Sequence, residues 1–242
     1  MWDSFLIFIS KHPFFISLAL FFLFMVVEKF RSSRKCLLFS FFFLSGFVLA
    51  VIGFHYRWDS FRIHFIEFRP SPTRYENILF IGDSITCEGR RPRGYITKLE
   101  AVHPIKTHII CKKGASTPEI LKIIKSYELT SKPDLIIIQS GINDLIDHGN
   151  ENLVTQNQKK LYHTVSSKFN YADVLFLPTH PLFINNTLFG RSLGASISSF
   201  DPWKMINREN SFQYLTKDGI HLNAFGNSYL AAKISKKISL KI

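Results

Sequence analysis

The chain has 242 residues and is basic, with 30 lysines and arginines against 18 aspartates and glutamates and a formal net charge of +12. The basic residues are scattered and no nucleic-acid-binding motif occurs, so we expect no nucleic-acid partner. We expect the positive charge to attract the protein to anionic lipid or envelope polymer instead. No Walker loop, dinucleotide glycine fingerprint or His-Glu-x-x-His motif is present, so we expect neither a cofactor nor a metal. The three cysteines give no disulfide framework, and the pairing of Cys87 with Cys111 is left open.

Residues 1–54 are predicted to form a membrane anchor with two transmembrane helices. Residues 13–27 are almost wholly apolar, and residues 37–54 carry no charged side chain. A helix needs about 20 apolar residues to cross a hydrocarbon core about 30 Å thick, so the second segment just spans it and the first does so when it is extended to Phe30. The alternatives are a cleaved signal peptide for the first segment and a buried core helix for the second. Two uncleaved spans are favoured because charged residues, and no small-residue cleavage site, follow the first segment.

The orientation of these spans follows from charge. Four basic residues crowd the short link between them: Lys29, Arg31, Arg34 and Lys35. The positive-inside rule puts such a link in the cytoplasm, so both termini are expected outside it. The arginines that follow the second span oppose this orientation, but they lead into a long domain, and long domains translocate largely regardless of charge.

Residues 55–73 are predicted to be a juxtamembrane connector. The aromatic residues Trp58, Phe61, Phe65 and Phe68 recur at helical steps, which would allow a helix to lie on the lipid headgroups. Alternation over residues 61–65 is equally compatible with an extended strand. Pro70 and Pro72 mark the boundary of the domain that follows.

Residues 74–242 are predicted to form a single catalytic domain. An apolar, β-branched run at 78–81 and strand-like runs at 106–111, 135–139 and 172–178 indicate strands, and helical spacing indicates helices after Ser116, over 153–169 and over 223–238. This alternation predicts a three-layer α/β/α sandwich around a parallel, flavodoxin-like sheet. Residues 182–215 show no clear period and either shape a pocket over the active site or form a plain surface loop.

Four short motifs carry the chemistry of this domain. They read Gly-Asp-Ser-Ile-Thr at 82–86, Lys-Gly-Ala-Ser at 113–116, Gly-Ile-Asn-Asp at 141–144 and Asp-Gly-Ile-His at 218–221. Each alone could be an ordinary turn, since Gly, Asp, Asn and Ser dominate turns for backbone reasons. The first three follow predicted strands, and ligands collect outside the carboxyl ends of parallel strands, so we expect these three loops to converge on one crevice.

Ser84 is the candidate nucleophile because it falls where a strand ends and a helix begins. A serine hydroxyl needs a base within hydrogen-bond reach, and His221 is the candidate base. Asp218 lies three residues earlier, so its carboxylate can accept a hydrogen bond from Nδ1–H and leave Nε2 facing Ser84. His180 has no paired aspartate, so we expect it to pack or to touch substrate.

The order and spacing of the four motifs resemble the SGNH, or GDSL, hydrolase superfamily over residues 74–242. The resemblance implies an oxyanion hole built from the backbone N–H of Ser84, the backbone N–H of Gly114 and the side-chain amide of Asn143. It implies supporting roles for Asp83, Gly141 and Asp144.

The expected function is therefore that of a membrane-anchored serine esterase. It would hydrolyse or transfer a small acyl group, such as acetyl, on an envelope glycan or lipid outside the cytoplasm, through an acyl-serine intermediate. One alternative is an O-acyltransferase component that works with a multi-span membrane partner. Another is a non-catalytic anchored module that binds a partner or polysaccharide.

Overall fold

The structure is a computed structural model that describes residues 72–129, 131–184, 187–190, 193–198, 200–207 and 210–239. The predicted anchor and almost all of the predicted connector lie outside these residues. None of the helices in the described part combines the length and the apolar character needed to cross a membrane.

Four parallel strands form the central sheet. They are β1 (Asn77–Gly82), β2 (Lys106–Cys111), β3 (Leu135–Gln139) and β4 (Asp173–Leu177), in the order β2-β1-β3-β4. The register pairs Gly82 with both Cys111 and Gln139, so the carboxyl ends of the first three strands lie at one level of the sheet. The predicted α/β fold with a parallel sheet is confirmed.

Six helices accompany the strands in the described part of the chain. They are α1 (Ser84–Gly89), α2 (Tyr95–Val102), α3 (Thr117–Ser126), α4 (Ile142–His148), α5 (Glu151–Lys168) and α6 (Ala224–Ile238). Polar residues begin several of them: the side chains of Asn150 and Asn223 accept backbone N–H groups of α5 and α6. Glu119 accepts the backbone N–H of Ser116 at 2.9 Å at the start of α3, so this helix begins where the sequence predicts.

Two apolar cores cover the two faces of the sheet. Ile78 and Phe80 point to one face, where they pack with residues of α2 and α6, including Leu99 and Ile234. The alternate residues of β1 pack on the other face with apolar residues of α3 and α5. Because side chains alternate along a strand, this β1 pattern makes the sheet the middle of three layers.

The segment from residue 182 to 215 has, in its described residues, more secondary structure than its sequence pattern predicts. It contains a short antiparallel hairpin, β5 (Leu182–Ile184) with β6 (Thr187–Phe189), and a 3₁₀ turn at Ser211–Gln213. Strands of three residues are too short to show a two-residue period, which explains why sequence analysis missed them. Trp203 in this segment is fully buried, and its indole N–H donates to the carbonyl of Pro178 at 2.8 Å. Trp203 is therefore part of the core, so the described part of this segment is not a plain surface loop.

Candidate active site

Three loops meet at the carboxyl edge of the sheet. The backbone N–H of Lys112, just after β2, donates to the carbonyl of Gly82 at 3.2 Å. The backbone N–H and the hydroxyl of Thr117 both donate to Asp144 Oδ2, at 2.7 and 2.9 Å. These bonds join the loops after β1, β2 and β3, as the motif positions predict.

Ser84 is the first residue of α1 and is only 8% exposed. The preceding residue, Asp83, caps the helix by accepting the backbone N–H of Ile85 at 3.0 Å. As the first helical residue, Ser84 has a backbone N–H without an acceptor inside the helix. Its hydroxyl and its backbone donor therefore lie together at the positive end of α1.

His221 and Asp218 complete a chain of contacts with Ser84. The Nε2 atom of His221 lies 3.1 Å from Ser84 Oγ, and its Nδ1 atom lies 2.7 Å from Asp218 Oδ2. The structure thus brings together the three residues that sequence analysis selects as nucleophile, base and orienting carboxylate. The side chains of His221 and Asp218 are 29% and 46% exposed, so solvent reaches this site.

Residues 216–221, which we call the catalytic loop, hold Asp218 in place. An isolated antiparallel bridge between Leu215 and Leu222 closes the loop. Asp218 Oδ1 accepts the Thr216 hydroxyl at 2.5 Å and the backbone N–H groups of Ile220 and His221 at 2.8 and 3.0 Å.

These hydrogen bonds lower the pKa of Asp218. Partial burial raises its pKa, but the hydrogen bonds from Thr216, from the two backbone N–H groups and from the His221 ring outweigh that effect and hold the pKa below its usual range. The ionised carboxylate accepts a hydrogen bond from the Nδ1–H group of His221. With Nδ1 bonded to the carboxylate, Nε2 is the ring atom that faces the Ser84 hydroxyl.

Gly114 lies in an exposed turn with φ of +70°. A Cβ atom built at this position would meet nothing within 4 Å, so space does not require glycine here. The left-handed backbone conformation, and not a close contact, is therefore the reason for glycine at this position.

Asn143, in the first turn of α4, lies beside the Gly114 turn. Its Nδ2 atom donates to the carbonyl of Ala115 at 2.9 Å. A side-chain amide has two N–H hydrogens, so one bond to Ala115 leaves the second available to a ligand. The bond to Ala115 also ties the loop after β3 to the loop after β2, a role that the motif alone did not indicate.

The predicted supporting residues lie beneath these loops. Gly141 has φ of +107°, and a Cβ there would lie 2.4 Å from Gln158 Nε2, so both backbone and space require glycine. Gln158 in turn donates to the carbonyl of Ser140 at 2.8 Å. Asp144 is buried and receives the two bonds from Thr117.

Asp83 is fully buried beside the nucleophile. Burial raises its pKa to about 7, against the lowering effects of the Ile85 N–H and of His221. Its Oδ2 atom has no hydrogen-bond partner among the described residues. This carboxyl group is thus poised between its neutral and charged forms near neutral pH.

A disulfide joins Cys87 to Cys111, with their Cα atoms 5.5 Å apart. Cys87 lies one helical turn after Ser84, and Cys111 lies three residues before Gly114. The bond therefore links α1, which begins at Ser84, to the end of β2, after which the Gly114 turn follows. No sequence signal decided this pairing, because it depends on β1 and β2 being neighbours in the sheet.

The described residues contain no group of three or more His, Cys, Asp or Glu side chains that could hold a metal ion. The sequence motifs did not indicate Thr216, whose hydroxyl holds Asp218, and they left open whether His180 packs or touches substrate; in the structure it is buried. Thr216 precedes the Asp-Gly-Ile-His motif, and the partners of His180 are distant from it in sequence. Spacing alone therefore reveals neither set of contacts.

No protein-family model and no curated protein sequence matches the chain. Solved structures are similar in fold: a GDSL-like lipase from Bacteroides thetaiotaomicron is 18% identical, with a TM-score of 0.51 over 67% of this chain and 87% of that protein. A lipase/acylhydrolase from Enterococcus faecalis is 19% identical, with a TM-score of 0.52 over 67% and 95%. A member of the lipolytic protein G-D-S-L family from Veillonella parvula is 15% identical, with a TM-score of 0.52 over 67% and 96%. The described domain therefore has the fold of GDSL-like lipases and acylhydrolases.

Proposed function

We propose that this protein is an SGNH/GDSL-type serine esterase that releases a small acyl group through an acyl-serine intermediate. The observation that carries the proposal is the continuous contact from Ser84 Oγ through His221 to Asp218, at 3.1 and 2.7 Å. A non-catalytic module has no need for an imidazole held between a serine hydroxyl and an ionised carboxylate. The fold likeness to lipases and an acylhydrolase agrees with this chemistry.

In the first half of the reaction, Ser84 Oγ attacks the ester carbonyl carbon while its proton passes to His221 Nε2. Asp218 stabilises the imidazolium that forms. The carbonyl oxygen becomes an oxyanion, which the backbone N–H groups of Ser84 and Gly114 and the free amide hydrogen of Asn143 are proposed to stabilise. The intermediate collapses, the alcohol leaves with the proton from His221, and the acyl group stays on Ser84.

In the second half, His221 takes a proton from water, the water oxygen attacks the acyl carbon, and the acid is released as Ser84 recovers its proton. The exposure of His221 and Asp218 lets water reach the acyl-serine. This favours hydrolysis over transfer to another hydroxyl. A multi-span membrane partner that covered the site would favour transfer instead, which makes an O-acyltransferase the second candidate.

The substrate is proposed to be an acyl ester on an envelope glycan or lipid, with the catalytic domain outside the cytoplasm. The charge of the predicted link between the two spans supports this orientation. The Cys87–Cys111 disulfide adds independent support, because disulfides persist in oxidising compartments and are rare in the cytosol.

The hydrolysis of short-chain p-nitrophenyl esters by the purified protein tests the activity. Ser84→Ala is expected to abolish turnover while the protein keeps its fold, because the nucleophile is lost and the mutation removes only one oxygen atom. Ser126→Ala is the matched control, since Ser126 is an exposed serine in α3. Equal turnover by the Ser84 variant and the control would refute the proposal.

Fusions to a reporter that is active only outside the cytoplasm test the orientation. A reporter after Ile242 is expected to be active, and one inserted at residues 31–34 is expected to be inactive. The opposite pattern would put the catalytic domain in the cytoplasm.

A further inference from the structure

His180 is a buried histidine next to the catalytic loop. It lies two residues beyond the start of the loop after β4 and has no exposed surface. Its ring packs against the indole of Trp203, with ring centroids 5.5 Å apart. Trp203 is itself fixed by its bond to the carbonyl of Pro178, so the ring of His180 has a rigid apolar wall on this side.

The hydrogen bonds of His180 assign its tautomer. Its Nε2 atom lies 2.6 Å from the carbonyl oxygen of Ile220, and a carbonyl only accepts, so Nε2 carries a proton. Burial lowers the pKa of His180 to about 4, so the ring is neutral near pH 7 and Nδ1 carries none. Nδ1 then accepts from Gln139 Nε2 at 3.4 Å. With both nitrogens occupied, His180 is not available as a general base.

These two bonds connect two parts of the site that are far apart in sequence. Ile220 directly precedes His221, and Gln139 is the last residue of β3, two residues before Gly141. The outer side of the catalytic loop is open to solvent, as the exposure of Asp218 shows. On its inner side, the loop is bonded to the chain after β4 at the carbonyl of Ile220, by His180, and at the carbonyl of Gly219, by the backbone N–H of Phe183 at 2.9 Å.

We propose that His180 is a positioning residue for the catalytic base, which holds the Ile220 carbonyl so that His221 Nε2 stays within hydrogen-bond distance of Ser84 Oγ. The proposal rests on the esterase function above, because positioning matters only if His221 acts as the base. It gives His180 no contact with substrate. Loss of its N–H donor should therefore change the chemical step and leave substrate binding unaltered.

The substitution His180→Phe keeps a ring against Trp203 and removes both hydrogen bonds. A misplacement of about 1 Å in a catalytic group can lower the rate about 100-fold, so we expect kcat to fall about 10- to 100-fold with KM unchanged. His180→Gln puts an amide donor near the position of Nε2, so we expect it to recover kcat to within about fivefold of wild type.

His103→Phe is the matched control. His103 is another buried histidine, on α2's carboxyl end, and its Nε2 bonds the hydroxyl of Ser235 at 2.8 Å. Removing that bond perturbs a buried contact far in sequence from the catalytic loop. We expect His103→Phe to lower thermal stability without changing kcat in the folded protein.

The experiment compares the wild type and these three variants by kcat and KM on a short-chain ester and by proton NMR. The NMR readout is the strongly deshielded proton of the His221–Asp218 hydrogen bond, which we expect to be lost or broadened in His180→Phe and retained in His103→Phe. A folded His180→Phe variant with wild-type kcat and an unchanged resonance would overturn the proposal. So would a His180→Gln variant as impaired in kcat as His180→Phe.

Two further outcomes are distinguishable. If the wild type hydrolyses no ester, the esterase function fails, and the NMR comparison alone then reports whether His180 holds the catalytic loop. Should His180→Phe fail to fold, His180→Met replaces it as the variant that lacks a donor. In that case kcat of His180→Gln must exceed that of His180→Met by more than about fivefold, and equal values would overturn the proposal.

Discussion

The side chain of Asn143 has two separable roles, and its removal tests both. Asn143→Ala deletes a donor proposed for the oxyanion hole, a loss that typically lowers kcat about 100- to 1,000-fold, or about 3–4 kcal/mol of barrier. It also deletes the 2.9 Å bond to the carbonyl of Ala115, a buried residue. The loss of such a bond lowers the free energy of unfolding by about 1–3 kcal/mol.

Steady-state kinetics and thermal melts separate these two effects. In a domain of this size, 1 kcal/mol shifts Tm by about 2–4 °C, so Asn143→Ala should melt about 2–12 °C below wild type. Asn150→Ala removes the cap of α5 and lowers the free energy of unfolding by about 1 kcal/mol without touching the oxyanion hole. We expect only Asn143→Ala to lose turnover, with KM nearly unchanged. A folded Asn143→Ala variant with kcat within about twofold of the Asn150 control would refute the oxyanion role.

Two further predictions concern stability. Replacing Cys87 and Cys111 by alanine opens a loop of 24 residues, which should lower the free energy of unfolding by about 3.5 kcal/mol and Tm by about 7–14 °C; melts identical to those of the oxidised wild type would be incompatible with a stabilising disulfide. Burial raises the pKa of Asp83 from 3.8 to about 7. Between these two pH values the folded state keeps a proton that the unfolded state releases. The free energy of unfolding therefore falls as the pH rises from about 4 to about 7. In urea titrations, the free energy of unfolding of Asp83→Asn should therefore equal that of the wild type near pH 4. By pH 8 it should exceed the wild-type value, by about 4 kcal/mol at most. A difference between the two proteins that does not change with pH would contradict this assignment.

The strands of the sheet were the most predictable part of the fold. Residues 106–111 and 135–139 form β2 and β3 with the predicted bounds. Residues 135–138 are apolar and mostly β-branched, and β2 carries the β-branched residues Thr107, Ile109 and Ile110. The start of α3 was predicted equally well, since Ser116 and Pro118 are local signals that act within one helical turn.

Features that depend on contacts distant in sequence could not be predicted in the same way. The pairing of Cys87 with Cys111 requires the parallel register of β1 with β2. The bond from Asn143 to Ala115 requires two loops, 28 residues apart, to approach each other. Neither residue type nor spacing determines such distances, although spacing did suffice for Asp218 and His221, which lie in one turn.

The role of His180 also depends on contacts that are distant in sequence. Because His180 has no paired aspartate, the sequence predicts that it packs or touches substrate, but it does not distinguish these two roles. The structure distinguishes them, because His180 is completely buried and its bonds to the Ile220 carbonyl and the Gln139 amide occupy both ring nitrogens. The role of a buried polar residue is thus decided by its partners and not by its motif.

Labelling with a fluorophosphonate probe tests the central claim, that Ser84 is an activated nucleophile, most directly. Such a probe reacts with a serine hydroxyl that a base has activated, and peptide mass spectrometry identifies the labelled residue. We expect one adduct, on Ser84, in the wild type, none in Ser84→Ala, and strongly slowed labelling in His221→Ala. A folded wild-type protein that stays unlabelled, or a Ser84→Ala variant labelled as fast as wild type, would contradict the account.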